Sequence, residues 1–133
     1  MKHTTPLRFN YEFSRVYKRG RYLTGNFVVV HFLKRKGQSD KNRLGVTVSR
    51  NVSGSVRRNR LKRLIRESYR LMEDELVTGY DLIITGRQKD APPTFVQLDR
   101  ELGRILRRAG LRGSADTQGP SLESLTGDPG GEA

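Results

Sequence analysis

Cysteine and tryptophan are both absent from this 133-residue chain. Without cysteine there is no disulfide, no thiolate nucleophile and no Cys-ligated zinc, a composition that suits a reducing compartment. Apolar residues make up only 34 % of the chain, so the core must be small. No apolar run approaches the roughly 20 residues that a membrane-spanning helix needs. Met1 to Arg8 has no apolar core behind its charges, so the expectation is no export signal, no membrane and a cytoplasmic protein. Histidine is also scarce: His3 and His31 are the two present, and neither has a motif partner. Glu73-Asp74-Glu75 is the one acidic cluster outside the last twenty residues. Adjacent residues fan apart on a helix, which predicts a solvated helix end there rather than a metal site. No glycine-rich phosphate loop ending in Lys-Ser or Lys-Thr occurs. A nuclease that works alone needs metal-binding carboxylates or an acid–base pair. The sequence therefore predicts no catalytic residue, no metal ligand and no cofactor held by the protein itself.

What the chain has in abundance is positive charge. Lys and Arg number 26 against 14 Asp and Glu, a net charge of +12. The distribution is uneven, since no Lys or Arg follows Arg112 while Asp116, Glu123, Asp128 and Glu132 do. Residues 1–113 thus hold 26 bases against 10 acids, a net of +16, and read as a single domain. Residues 114–133 carry −4 with several Gly and Pro and two sizeable apolar side chains, Leu122 and Leu125. Such a segment buries too little apolar surface to offset its ordering entropy, and is expected to be a disordered acidic tail. A strongly basic domain calls for a polyanionic partner.

Periodicity places the elements. Phe13, Val16 and Tyr17 fall at helical spacing, predicting a helix over 10–19 with Asn10 as N-cap and Gly20 as stop. Tyr22-Leu23 reads as a brief strand, Phe27 to Leu33 as a buried strand apolar on both faces, and Leu44 to Ser49 as a third. Residues 56–76 gather Leu61, Leu64, Ile65, Met72 and Leu76 on one helical face, after a loop with capping serines. Tyr80 to Thr85 is a strand, and Thr94 with Gln97 matches a capping box for a last helix ending at Gly110. The order is αβββαβα, an α/β sandwich with a small sheet.

Between Arg57 and Arg70 lie seven bases and a single acid, Glu67. Like charges at i, i+4, here Arg58, Lys62, Arg66 and Arg70, each cost roughly 0.2–0.5 kcal/mol. A face built only for solvent would interleave Glu, so an anion is expected opposite. Arginine forks onto phosphate oxygens and stacks on bases, which suits structured RNA as well as DNA, and composition does not separate the two. A structural RNA-binding protein of the ribosomal kind fits the same pattern. A DNA-binding regulator needs a paired helix-turn-helix, against which the strands on either side of 56–76 argue.

The run Arg57-Arg58-Asn59-Arg60-Leu61-Lys62-Arg63-Leu64-Ile65-Arg66-Glu67 strongly resembles the signature helix of the bacterial ribonuclease P protein component. The similarity extends through Leu7 to Phe13, Val16, Tyr17, Gly20, Phe27, Gly45 to Ser49, Asp81 to Arg87 and the final helix to Leu111, about residues 5–112. The resemblance implies an α/β (α+β) two-layer sandwich with a small mixed sheet and a left-handed βαβ crossover, the ribosomal protein S5 domain 2-like fold. It implies a protein subunit that binds the catalytic RNA of ribonuclease P, whose RNA and Mg²⁺ remove the 5′ leader of precursor tRNA; no DNA partner is expected. By motif match, Arg58, Asn59, Arg60, Lys62, Arg63 and Arg66 would contact the catalytic RNA. Phe13 and Tyr17 would line a cleft for the single-stranded leader, although i, i+4 aromatics by themselves read as core. Val30 stands where many relatives carry an aromatic, and Phe32, on the same strand face, is expected to take its place. The stretch Ser49 to Ser55 has one base fewer than relatives and a shifted glycine, leaving Arg50 as the expected contact there.

Overall fold

The computed structural model describes residues 2–37, 40–88 and 91–112, so the acidic segment 114–133 lies outside the described residues. Five strands and three helices follow in the order β1 (Thr4–Pro6), α1 (Asn10–Arg19), β2 (Arg21–Thr24), β3 (Val28–Lys34), β4 (Asn42–Val48), α2 (Ser55–Met72), β5 (Tyr80–Gly86) and α3 (Phe95–Arg108). The strands form one mixed sheet in the spatial order β1-β4-β5-β3-β2. β4 runs parallel to both β1 and β5, while β3 is antiparallel to β5 and β2. The expected α/β architecture is present, with one strand more than periodicity shows. β1 is three residues long and ends on Pro6, a residue tolerated at a sheet edge but invisible to a strand pattern.

Period-2 alternation sorts the sheet's two faces. Val28, Val30 and Phe32 of β3, Leu44 and Val48 of β4, and Leu82 and Ile84 of β5 point to one side, where α2 and α3 close the main core. Ile83 points the other way and joins Leu7 and Val16, with Phe13 and Leu33 packed against them. Helix α1 thus adds a partial layer on the opposite face. This division settles what the sequence left open, since β3 and β5 are apolar at consecutive positions because each is covered on both sides.

Several ends differ from expectation for identifiable reasons. Helix α1 is capped by Phe9, not Asn10, and the Glu12 carboxylate accepts the N–H groups of Arg8 and Phe9 at 2.8 and 3.1 Å. The cap of α2 is Gly54 at φ +86°, left-handed backbone that glycine adopts without strain, rather than a serine. The capping box at α3 is formed as expected, with Thr94 Oγ1 accepting from Gln97 N at 3.1 Å. Helix α2 stops at Met72 and gives way to a 3₁₀ turn, Glu73–Glu75. There the buried Glu73 carboxylate takes hydrogen bonds from Lys2 N, His3 N and Thr4 Oγ1 at 3.0, 2.9 and 2.6 Å. The acidic cluster is therefore structural: Glu73 pins β1, Asp74 faces His3 and Glu75 pairs with Arg112.

Glu12 and Glu73 make acid stability a readable property. Burial pushes both pKa values up, but the N–H and hydroxyl donors, with Arg43 and Arg15 beside Glu12, hold both below the ordinary carboxylate value. The unfolded chain consequently takes up these protons first as pH falls. Their stabilisation is complete above the unfolded glutamate pKa, about 4.3, and is lost as pH drops through the lower folded values. Urea midpoints should stay level from pH 7 to about pH 5 and fall below that, with a shallower acid limb in Glu73→Gln. An unchanged acid limb in that variant would show that Glu73 is not one of the groups responsible.

Candidate RNA interface

The basic side chains of α2 are sorted by the helix itself. At about 100° per residue, Asn59, Lys62, Arg63, Arg66 and Arg70 share one face, opposite the buried Leu61, Ile65 and Tyr69. Together with Glu67 they line a single shallow groove along the helix. Glu67 is paired with Arg70 at 2.6 Å, so the charge left facing solvent comes from Lys62, Arg63 and Arg66, with the Asn59 amide among them.

Arg58 and Arg60 are placed differently from the motif-based expectation. They lie about 100° to either side of Asn59, which turns them toward neighbouring loops. Arg58 Nη1 donates to the carbonyls of Ser49 and Val52 at 2.9 and 3.0 Å, and its Nη2 to that of Val48 at 3.2 Å. Arg60 Nη2 donates to the Pro93 carbonyl at 3.0 Å. Both guanidinium groups hold loop backbone, Arg58 the link from β4 into α2 and Arg60 the approach to α3. They position the basic face rather than form its centre.

The second surface is built where α1 crosses the sheet. Register places Gly45, Ile83 and His31 side by side across β4, β5 and β3. A Cβ at Gly45 would stand 2.6 Å from Phe13 Cε2, so the absence of a side chain is what lets the ring lie on the strand. At the other end of this row, Tyr17 meets His31 edge-on at 4.8 Å, and Tyr22 stacks on His31 at 5.2 Å. The next row on the same face, Thr47, Thr85 and Val29, is half-buried, with a 2.9 Å hydrogen bond between the two threonine hydroxyls. Phe13 and Tyr17 therefore border a strip of sheet that α1 leaves open. Arg50 lies exposed just beyond the end of β4.

Phe32 does not line this cleft, which corrects the expectation for it. Its ring is 6 % exposed and belongs to the main core beneath α2 and α3, with Val28 and Val30. Alternation puts Val29, His31 and Leu33 on the α1 side, so the aromatic of the central strand that faces the cleft is His31. Sequence reasoning missed His31 because β3 is apolar on both faces and its parity cannot be read without knowing which side α1 covers, and it missed Tyr22 because that ring reaches the cleft through its pairing with His31 across β2 and β3. Burial pushes the His31 pKa down, so its ring is neutral at neutral pH. Its Nδ1 is buried without a hydrogen-bond partner among the described residues.

The two surfaces meet. Where β1 stops short of the end of β4, a pocket of about 370 Å³ opens between Pro6, Leu7, Phe13, Gly45, Val46 and Arg66. Arg66 lines both this pocket and the α2 groove. Among the described residues, no group of three or more His, Cys, Asp or Glu is placed to hold a metal, and no helix is long and apolar enough to cross a membrane.

Known proteins are similar to this chain in sequence and fold. The family model for ribonuclease P matches residues 1–110. The ribonuclease P protein component of Clostridium novyi is 39 % identical over 111 residues, covering 84 % of this chain and 98 % of the relative. That of Clostridium kluyveri is 40 % identical over 108 residues, covering 79 % and 94 %. The RNase P protein of Staphylococcus aureus superposes with a TM-score of 0.72 at 29 % identity, over 80 % of this chain and 96 % of that one. The protein from Thermotoga maritima gives 0.68 at 30 % identity, over 77 % and 96 %. With its signature helix, sheet order and cleft in place, the chain belongs to the ribonuclease P protein component family, the protein subunits of a tRNA-processing endoribonuclease.

Proposed function

We propose that this protein binds the catalytic RNA of ribonuclease P through the α2 face and the 5′ leader of precursor tRNA through the α1 cleft. Asn59, Lys62, Arg63 and Arg66 take the catalytic RNA, with Arg58 and Arg60 holding the loops that present them. Phe13 and Tyr17 stack on leader bases, a contact worth about 1–3 kcal/mol per base. His31 supports Tyr17 from below, and Arg50 meets the backbone at the end of the cleft. The observation that carries the reading is Arg66, which lines both surfaces at once. A side chain there sits where leader and catalytic RNA converge, so two polyanions are brought together over one block of positive charge.

The chemistry in this reading belongs to the RNA and its Mg²⁺. Along the cleft, His31 lies between two tyrosine rings, and no carboxylate hydrogen-bonds to it among the described residues. The protein's part is electrostatic: a domain of net +16 replaces counterions that two RNAs otherwise need. Cleavage of precursor tRNA should be measured with protein, catalytic RNA and both, across a Mg²⁺ series. The protein alone should be inactive, and its addition should lower the Mg²⁺ needed by the RNA while favouring precursor over mature tRNA. Cleavage by protein freed of RNA would overturn the division of labour, and an unchanged Mg²⁺ requirement would overturn the assisting role.

A further inference from the structure

We propose that the outer face of α3 is a second phosphate-binding surface, which holds a further helix of the same catalytic RNA that α2 engages. This rests on the reading of α2 given above and extends it to residues which that reading leaves unused. The buried side of α3 is formed by Leu98, Leu102, Ile105 and Leu106. On the wheel, Val96, Arg100, Arg104, Arg107 and Arg108 fall opposite, and all but the half-buried Arg107 are exposed.

Among the described residues, no acid is paired with this stripe. Asp99 accepts a hydrogen bond from Ser68 Oγ at 2.7 Å, on the side turned to α2. The buried Glu101 carboxylate is occupied by the N–H groups of Asn26, Phe27 and Val28, at 2.9, 2.7 and 2.9 Å. Interaction with the helix dipole favours arginines in the last turn, which suits Arg107 and Arg108. It does not reach Arg100, two turns earlier. The spacing of Arg100, Arg104 and Arg108 at i, i+4 sets like charges against each other in the free protein, so the stripe costs stability unless an anion lies over it.

Its place in the fold points to one occupant. Helices α2 and α3 pack side by side on one face of the sheet, and the leader cleft is on the other. Packed helix axes lie about 8–10 Å apart, so RNA seated on α2 runs within reach of α3, whereas the leader does not. Arg100 to Arg108 covers about 12 Å of helix axis with a guanidinium roughly every 6 Å, in a row that drifts about 40° around the helix at each step, a spacing suited to a phosphate backbone. Exposed apolar side chains, Leu71 on α2 and Val96 on α3, stand between the two rows, and the exposed Glu67 on that flank of α2 is held by Arg70. The α3 stripe is therefore a separate surface from the α2 groove. Acidic residues 114–133 follow α3 in the chain and are the competing occupant.

The test uses the full chain carrying Arg100→Gln, Arg104→Gln and Arg108→Gln, with Arg104→Gln alone as the milder variant. Lys62→Ala with Arg66→Ala serves as the comparison on α2, and circular dichroism confirms folding. Affinity for the ribonuclease P catalytic RNA is measured over a salt series. Each duplex phosphate contact contributes about 0.9 to the log–log slope, so the triple variant should lose about two to three units. Binding should weaken about tenfold or more near 0.1 M salt, with the preference for precursor over mature tRNA unchanged. Loss of slope in the α2 variant alone would overturn the proposal and leave the function reading standing; no loss in either would overturn both. Tighter binding by the triple variant would mean that the acidic segment covers α3 in the free protein, and would overturn the proposal. So would a loss confined to precursor tRNA.

Discussion

Replacing Asp81 by Ala is expected to lower the free energy of unfolding by about 3–5 kcal/mol, the range seen when one partner of a buried ion pair is removed. The Asp81 side chain is fully buried. Arg43 grips it with two parallel hydrogen bonds, Nε to Oδ1 at 2.8 Å and Nη2 to Oδ2 at 2.9 Å. Arg15 and Arg35 approach within 3.6 and 3.5 Å, and Arg43 also reaches Glu12. The bond to Asp81 is the main reason the Arg43 pKa is raised. Removing this carboxylate leaves three guanidinium groups around a void. Urea denaturation should show a lower midpoint at constant slope, and Asp81→Asn, which keeps the shape and part of the hydrogen bonding, should lose less. A loss below about 1 kcal/mol in the alanine variant would mean that water or rearrangement compensates the arginines. Because Glu12 and Arg15 are on α1, the same cluster fastens that helix over β4 and β5. Leader discrimination should therefore decline together with stability.

Tyr17→Ala is expected to weaken precursor tRNA binding by about 1–3 kcal/mol, the loss of one base-stacking contact, with little effect on mature tRNA. Tyr17 is 46 % exposed, so its removal leaves the core intact, and Tyr17→Phe should retain most of the affinity because the ring is what stacks. Phe13→Ala should show a similar discrimination defect plus a stability loss, since Phe13 also packs on the cluster of Leu7, Val16 and Ile83. The measurement is equilibrium binding of both tRNAs to the reconstituted complex. Equal losses for precursor and mature tRNA would show that the aromatics only hold α1 in place.

The legible part of the site was its charge and its helix. The face of Asn59, Lys62, Arg63 and Arg66 follows from residue spacing alone, because a helix of known period turns sequence order into geometry. The family motif could not separate Arg58 and Arg60 from that face. Their roles depend on where the backbone carbonyls of Val48, Ser49, Val52 and Pro93 fall, and those lie outside the helix, at the end of β4, in the link into α2 and before α3. For a related reason, His31 stands in the cleft where Phe32 was expected. A strand covered on both sides has no polar face to reveal its parity, so neighbours one residue apart could be assigned only when α1 was seen above Ile83 and α2 and α3 below Leu82 and Ile84.

By itself, then, the sequence determined a cysteine-free basic domain, the order and approximate limits of the three helices and four of the strands, and one arginine-rich helix face. These are local properties, set by composition and by periods of 3.6 and 2 residues. The tertiary structure decided the rest: that Thr4–Pro6 is a strand, that Glu73 and Glu101 serve backbone amides of other elements, and that His31 rather than Phe32 looks into the cleft. It also decided that Arg66 joins two surfaces. Each of these depends on partners up to some 75 positions away in the chain, and no local period carries information about which distant residue will arrive opposite.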